Sequence, residues 1–224
     1  MQNITLNNGV EIPILGFGVY QIAPKDTKSA VLNAIKAGYR HFDTAQAYAN
    51  EKEVGEAIRE SRIDRKEFFI TSKVWLSNYG YDKAYASVLE SLDRMELDYL
   101  DLMLLHQPFS DYYGAYHALE KLYKEGKLRA IGVSNFYPDR LSDIVAFNEI
   151  TPQVNQVETH PLNQQIFAQE NMIKKRCKLN LGLLLQKVVV TFSTIQFSKI
   201  LLINMVNPLH KSWFAGKFNR ELFA

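Results

Sequence analysis

The chain has a single cysteine, Cys177, so no internal disulfide can form. Its opening residues lack the basic-then-apolar pattern of a secretory leader, and the expectation is a soluble, cytoplasmic protein. No uncharged stretch approaches the roughly 18 apolar residues of a membrane helix, because Lys187 and Lys199 interrupt the C-terminal apolar runs. No cluster of His, Cys and Asp has metal-ligand spacing, so no metal is expected. No strand is followed by Gly-x-Gly-x-x-Gly. Gly16-Phe17-Gly18 comes nearest but lacks the third glycine, which argues against a Rossmann phosphate loop.

What is present is a chain of 224 residues, 47% apolar, enough for one packed core. Asn3–Leu6 and Val10–Ile14 flank Asn8-Gly9 and predict an opening hairpin with both turn residues at positive φ. A helix is expected from about Thr27 to a left-handed stop at Gly38. Short apolar strands follow at Tyr39–Phe42, Phe68–Thr71, Leu100–Leu105, Arg129–Val133 and Gln153–Val157. Helices alternate with them at 51–61, 82–95, 113–124 and 139–147. Asn50, with Glu53 three residues on, predicts a capping box at the start of the second helix. Strand and helix alternating every 30 residues or so point to parallel βαβ units, and without a dinucleotide loop a barrel is favoured over a doubly wound sheet. Eight such units typically need about 250 residues, so the chain is short for a complete barrel.

In a parallel barrel the chemistry gathers at the C-terminal ends of the strands. The predicted strands run into Asp43, Lys73, His106 and Ser134-Asn135, and the fifth carries Asn155-Gln156. Each has an ordinary alternative. Asp43 before Thr44 suits a helix cap, Lys73 a solvated loop, His106 a bond to a backbone carbonyl, and Tyr48 is one of 12 tyrosines. Convergence of Asp, Lys and His on one rim outweighs those readings. An ammonium beside a tyrosine stabilises its phenolate, so Lys73, kept charged by Asp43, would make Tyr48 a usable general acid. His106 would stabilise a developing oxyanion. Protonating a carbonyl oxygen while hydride reaches its carbon is a reduction, and the hydride must come from a cofactor.

At these residues the sequence resembles the aldo-keto reductases. Residues 38–51, from Gly38-Tyr39-Arg40-His41-Phe42-Asp43 through Tyr48 to Glu51, are similar to the family's first signature. Thr71–Trp75 resembles the segment carrying its lysine, and Asp98–His106 the one carrying its histidine. Ile131–Phe136 and Asn155–Glu158 are similar to the stretches whose Ser, Asn and Gln bind the nicotinamide amide, here Ser134, Asn135 and Gln156. The resemblance implies a (β/α)8 TIM-type barrel, NADPH as cofactor, and reduction of a small carbonyl substrate, an aldehyde or ketone. Within the family it is nearest the bacterial diketogluconate-reductase branch. Trp75 and Phe109 are candidate substrate-pocket liners, or else ordinary packing residues.

The chain changes character after Met172. Residues 1–170 hold 17 Lys and Arg against 23 Asp and Glu, whereas 171–224 hold 9 against 1. No sixth strand, nicotinamide-stacking aromatic or 2′-phosphate grip of the family's kind is recognised there, although Val188–Phe192 has strand character. The division is therefore drawn as barrel portion 1–172 and basic, apolar tail 173–224, the tail being read as the product of a shifted reading frame. Its bases are scattered among apolar residues rather than gathered on one face, so neither nucleic acid nor membrane is expected as a partner. The competing function is a catalytically defective remnant of the family that lacks the site for the cofactor's 2′-phosphate.

Overall fold

The computed structural model describes residues 2–159 and 163–182, with 179–182 by backbone alone. A small antiparallel hairpin, β1 (Asn3–Thr5) and β2 (Glu11–Pro13), precedes the main body. Its loop is one residue longer than a two-residue turn. The Leu6 amide donates to the Val10 carbonyl at 2.9 Å, the Asn8 side chain accepts from the Val10 amide, and only Gly9 takes a positive φ, of 85°. An Asn side chain that caps the turn itself removes the need for a second left-handed residue.

Seven parallel strands then follow in spatial order: β3 (Gly16–Gly18), β4 (His41–Asp43), β5 (Phe69–Val74), β6 (Leu102–Leu105), β7 (Ile131–Ser134), β8 (Val154–Glu158) and β9 (Lys178–Gly182). The helices between them are α1 (Pro24–Lys36), α2 (Glu51–Glu60), α3 (Tyr81–Met95), α4 (Tyr112–Lys124), α5 (Pro138–Phe147) and α6 (Ile166–Lys174). This is an incomplete (β/α)8 barrel. Among the described residues no helix is long and apolar enough to cross a membrane.

The sheet differs from the sequence expectation at both ends. Gly16-Phe17-Gly18 is the barrel's first strand, paired in parallel with His41–Asp43. Glycine is required there: a Cβ on Gly16 would lie 2.9 Å from the His41 imidazole, which fills the barrel interior. Two glycines in three residues give no hydrophobic pattern, which is why the strand escapes a periodicity reading. At the other end a sixth strand beyond the five predicted does form. β9 pairs with β8 from Val154↔Lys178 to Glu158↔Gly182, six residues and more past Met172. The strand suggested at Val188–Phe192 lies outside the described residues.

Alternation along the strands divides the core in two. Phe69, Leu102, Leu104, Ala130 and Val154 face inward and pack on Leu6 and Ile12 of the hairpin, which closes the floor of the barrel. Phe42, Ile70, Met103, Leu105, Ile131 and Val133 face outward to the helices. α2 and α3 touch closely at Gly55, where a Cβ would stand 2.2 Å from the Met95 carbonyl. The expected capping box is not made: Asn50 precedes α2 but its side chain makes no cap bond. Asn50 is fully buried instead, accepting from the Thr44 hydroxyl at 2.7 Å and donating to the Val19 carbonyl at 3.0 Å. It ties the β3 and β4 loops together, a use of its hydrogen bonds that sequence spacing cannot distinguish from capping.

Candidate active site

Asp43 is the last residue of β4, Lys73 lies one residue from the end of β5, and His106 directly follows β6. The strand alternation that turns His41 and Phe69 inward turns Asp43 and Lys73 inward as well. Lys73 is 1% exposed. Its ammonium donates to Asp43 Oδ1, to the Thr44 carbonyl at 2.9 Å and to the Tyr48 hydroxyl at 3.5 Å. Asp43 is thus a lysine partner rather than a helix cap. Its second oxygen accepts from Gln156 Nε2 at 2.7 Å, a bond that crosses the barrel interior from β8 to β4.

Tyr48 ends a 3-10 turn, Gln46–Tyr48, that leaves β4 through Thr44 and closes at Ala49 with φ of 55°. The turn swings the phenol back over the rim, with Lys73 Nζ 5.0 Å from its ring centre. His106 presents its ring edgewise to Tyr48, centroids 5.8 Å apart, and to Trp75 at 5.0 Å. Its backbone is fixed on both sides, the amide donating to the Val74 carbonyl at 3.2 Å and the carbonyl accepting from Asn135 Nδ2 at 3.0 Å. Nδ1 is buried and has no hydrogen-bond partner among the described residues.

The electrostatics follow from burial and from one cation. Burial pulls the Lys73 pKa down, but the Asp43 carboxylate and the Tyr48 hydroxyl outweigh it and the net shift is upward, so Lys73 is an ammonium. Burial raises the Tyr48 pKa. The Lys73 charge and hydrogen bond oppose that rise without cancelling it. The lowering of the Tyr48 pKa expected from Lys73 alone is thus outweighed by desolvation of the phenolate in the free site. Burial, with help from the Lys73 charge, lowers His106 from 6.5 to about 4, so its imidazole is neutral at ordinary pH.

A depressed His106 binds fewer protons folded than unfolded. Its stability contribution is therefore complete above pH 6.5 and lost as pH falls through about 4. Up to about 3 kcal/mol is at stake, taking roughly 1.4 kcal/mol per unit. The melting temperature of His106→Asn is expected to fall less between pH 6.5 and 4 than that of the unaltered chain; parallel curves would remove His106 from the titration.

Ser134 and Asn135 meet Gln156 at the adjoining ends of β7 and β8. The Ser134 hydroxyl donates to the Gln156 carbonyl at 2.9 Å, the Asn135 amide to the same carbonyl at 2.8 Å, and Asn135 Nδ2 to Ser134 Oγ at 3.1 Å. Asn135 holds φ of 64°, which aims its side chain back at the His106 loop. Asn155, on the opposite face of β8, is fully buried and donates to the Phe136 carbonyl at 2.6 Å, so it braces the rim from outside. Of the proposed pocket residues, Trp75 joins the cluster through His106. Phe109, 60% exposed, sits three residues past His106 and makes no ring contact with it.

Two site neighbours were not singled out in the sequence. Tyr20 lies in the loop after β3, its ring 5.0 Å from that of Tyr48. Its place at the rim is hidden in the sequence because the two glycines of β3 give no strand pattern ahead of it. Tyr79 donates its hydroxyl to the Gln107 carbonyl at 2.8 Å and accepts from the Gln107 amide at 3.1 Å, holding the loop that carries His106.

Fold and rim together define a (β/α)-barrel protein with a buried Lys–Asp pair beneath a tyrosine. The aldo/keto reductase family model matches residues 15–195, and the chain belongs to that family. The match continues beyond residue 172. The chain is 45% identical over 181 residues to morphine 6-dehydrogenase of Pseudomonas putida, covering 80% of this chain and 60% of that protein. It is 51% identical over 160 residues to glyoxal reductase of Bacillus subtilis, covering 70% and 58%. It thus spans about 60% of the length of these relatives. A solved aldo/keto reductase from Brucella melitensis superposes with a TM-score of 0.79 at 39% identity, over 81% of this chain and 72% of that one. One from Bombyx mori, solved in complex with NADP, superposes at 0.78 with 31% identity, over 81% and 66%.

Proposed function

We propose that this chain carries the site of an NADPH-dependent reductase that converts small aldehydes or ketones to alcohols. Tyr48 delivers its proton to the carbonyl oxygen. Protonated in the free site, it releases that proton as negative charge develops on the oxygen beside it. The Lys73 ammonium offsets the phenolate left behind, and Asp43 keeps Lys73 charged. Neutral His106 orients the carbonyl by donating a hydrogen bond without adding charge to the site. Trp75 and Phe109 line the approach.

NADPH supplies the hydride when bound. A fixed cluster of one hydroxyl and two amide side chains, Ser134, Asn135 and Gln156, stands beside Asp43 and fits a planar, uncharged amide such as that of nicotinamide. No 2′-phosphate grip of the family's kind is recognised in the sequence after residue 172, and residues 183–224 lie outside the described residues.

One observation carries the reading. A lysine that is 1% exposed is shared between a carboxylate and the Tyr48 hydroxyl, an arrangement with no packing advantage over an apolar side chain. Glyoxal is the first substrate to try, because the Bacillus subtilis relative is named for it. NADPH consumption proportional to protein and dependent on glyoxal is expected.

A second reading is a barrel portion that keeps the acid set but does not turn over. It draws support from the sequence after residue 172, in which no 2′-phosphate grip of the family's kind is recognised. A folded chain without turnover on any of a panel of small aldehydes would favour it.

A further inference from the structure

Gln46 has every hydrogen-bonding position of its side-chain amide in use, and none of the chemistry above needs it. Its Oε1 accepts from the Trp75 amide at 2.9 Å and from Asn78 Nδ2 at 2.9 Å. Its Nε2 donates to the Ser87 carbonyl at 3.1 Å and to Ser91 Oγ at 3.1 Å. One side chain therefore joins the turn that ends in Tyr48, the turn Leu76–Asn78 that begins at Trp75, and α3. Four bonds exhaust what a primary amide can make.

We propose that Gln46 is a positioning residue that sets the stance of Trp75 against His106 and so the width of the carbonyl pocket. This rests on the reading of the rim as a carbonyl-reducing site. Trp75 is 37% exposed, and its ring is held edge-on to His106 at 5.0 Å. The backbone bond from its amide to Gln46 anchors that ring at its root. α3 is a long helix whose buried face packs on the barrel, so the Ser87 and Ser91 bonds make it the fixed post and Gln46 the tie. Because Gln46 and Tyr48 share one 3-10 turn, the acid and the pocket wall are registered to each other through two residues of backbone. The acceptor half of the amide acts on Trp75 and the donor half on α3, so the two can be separated by substitution.

The test uses the full chain in a Trp213→Phe background, where Trp75 is the remaining tryptophan of two. Gln46→Met keeps the length and removes all four bonds. Gln46→Glu keeps the acceptor facing Trp75 and Asn78. Acrylamide quenching of Trp75 fluorescence is expected to rise in Gln46→Met and to stay near the unaltered value in Gln46→Glu. The KM for an aromatic aldehyde should rise about 5- to 10-fold in Gln46→Met with kcat changed less than about 2-fold, the size of one lost tie acting on binding alone. Asn78→Ala serves as a milder variant should Gln46→Met not fold, with a smaller quenching change in the same direction. Unchanged quenching in the folded variants, or equal quenching in Gln46→Met and Gln46→Glu, would overturn the assignment. The fluorescence readout needs no turnover, so failure of the reductase reading shows as absent activity and failure of this one as an unmoved Trp75.

Discussion

Tyr48→Phe is expected to lower kcat by at least about 100-fold, the lower end for loss of a general acid, with NADPH affinity changed less than about 2-fold. Phenylalanine keeps the ring that packs against Tyr20 and His106 and lies near the Lys73 ammonium, so the fold and the Ser134, Asn135 and Gln156 cluster are undisturbed. Only the proton and its hydroxyl are removed. Initial rates with glyoxal, together with nicotinamide fluorescence titration, separate the two quantities. Turnover within a few fold of the unaltered chain would take Tyr48 out of the mechanism.

Lys73→Met should be at least as damaging, for a different reason. Methionine fills much of the same space but removes the cation that, among the described residues, opposes the rise burial gives the Tyr48 pKa. With no ammonium beside it, the phenolate formed on proton transfer would stand in a desolvated site next to Asp43. Both effects oppose release of the proton. Lys73→Arg restores the charge but not the compact geometry, so partial activity with a displaced pH–rate profile is expected. Thermal melts by circular dichroism establish whether each variant is folded. A folded Lys73→Met protein with near-normal turnover, or an unchanged pH–rate profile in Lys73→Arg, would sever the proposed coupling.

Most of the strands and the residues at their ends were legible because local pattern and tertiary role agree. Leu102–Leu105 is an apolar run bounded by polar residues, and it runs straight into His106. Gln156 was readable as a rim residue, but its bond to Asp43 was not, since 113 residues separate them and nothing local specifies the curvature that brings them together. The strand at Gly16–Gly18 was hidden because two of its three residues are glycine, of which Gly16 answers to a close approach by His41. β9 was hidden for another reason. Lys178 and Asn180 interrupt its apolar residues, and partnership with β8 is what makes those five residues a strand. The electrostatic error on Tyr48 has the same origin. The cation was visible in the sequence, and the depth of burial that outweighs it was not.

A titration of the purified chain with NADPH tests most directly whether the rim around Lys73 and Gln156 holds the cofactor next to Tyr48. Saturable enhancement of nicotinamide fluorescence in the micromolar range, weakened in Gln156→Ala, is the predicted result. A linear, unsaturable signal from a protein that melts cooperatively would contradict it.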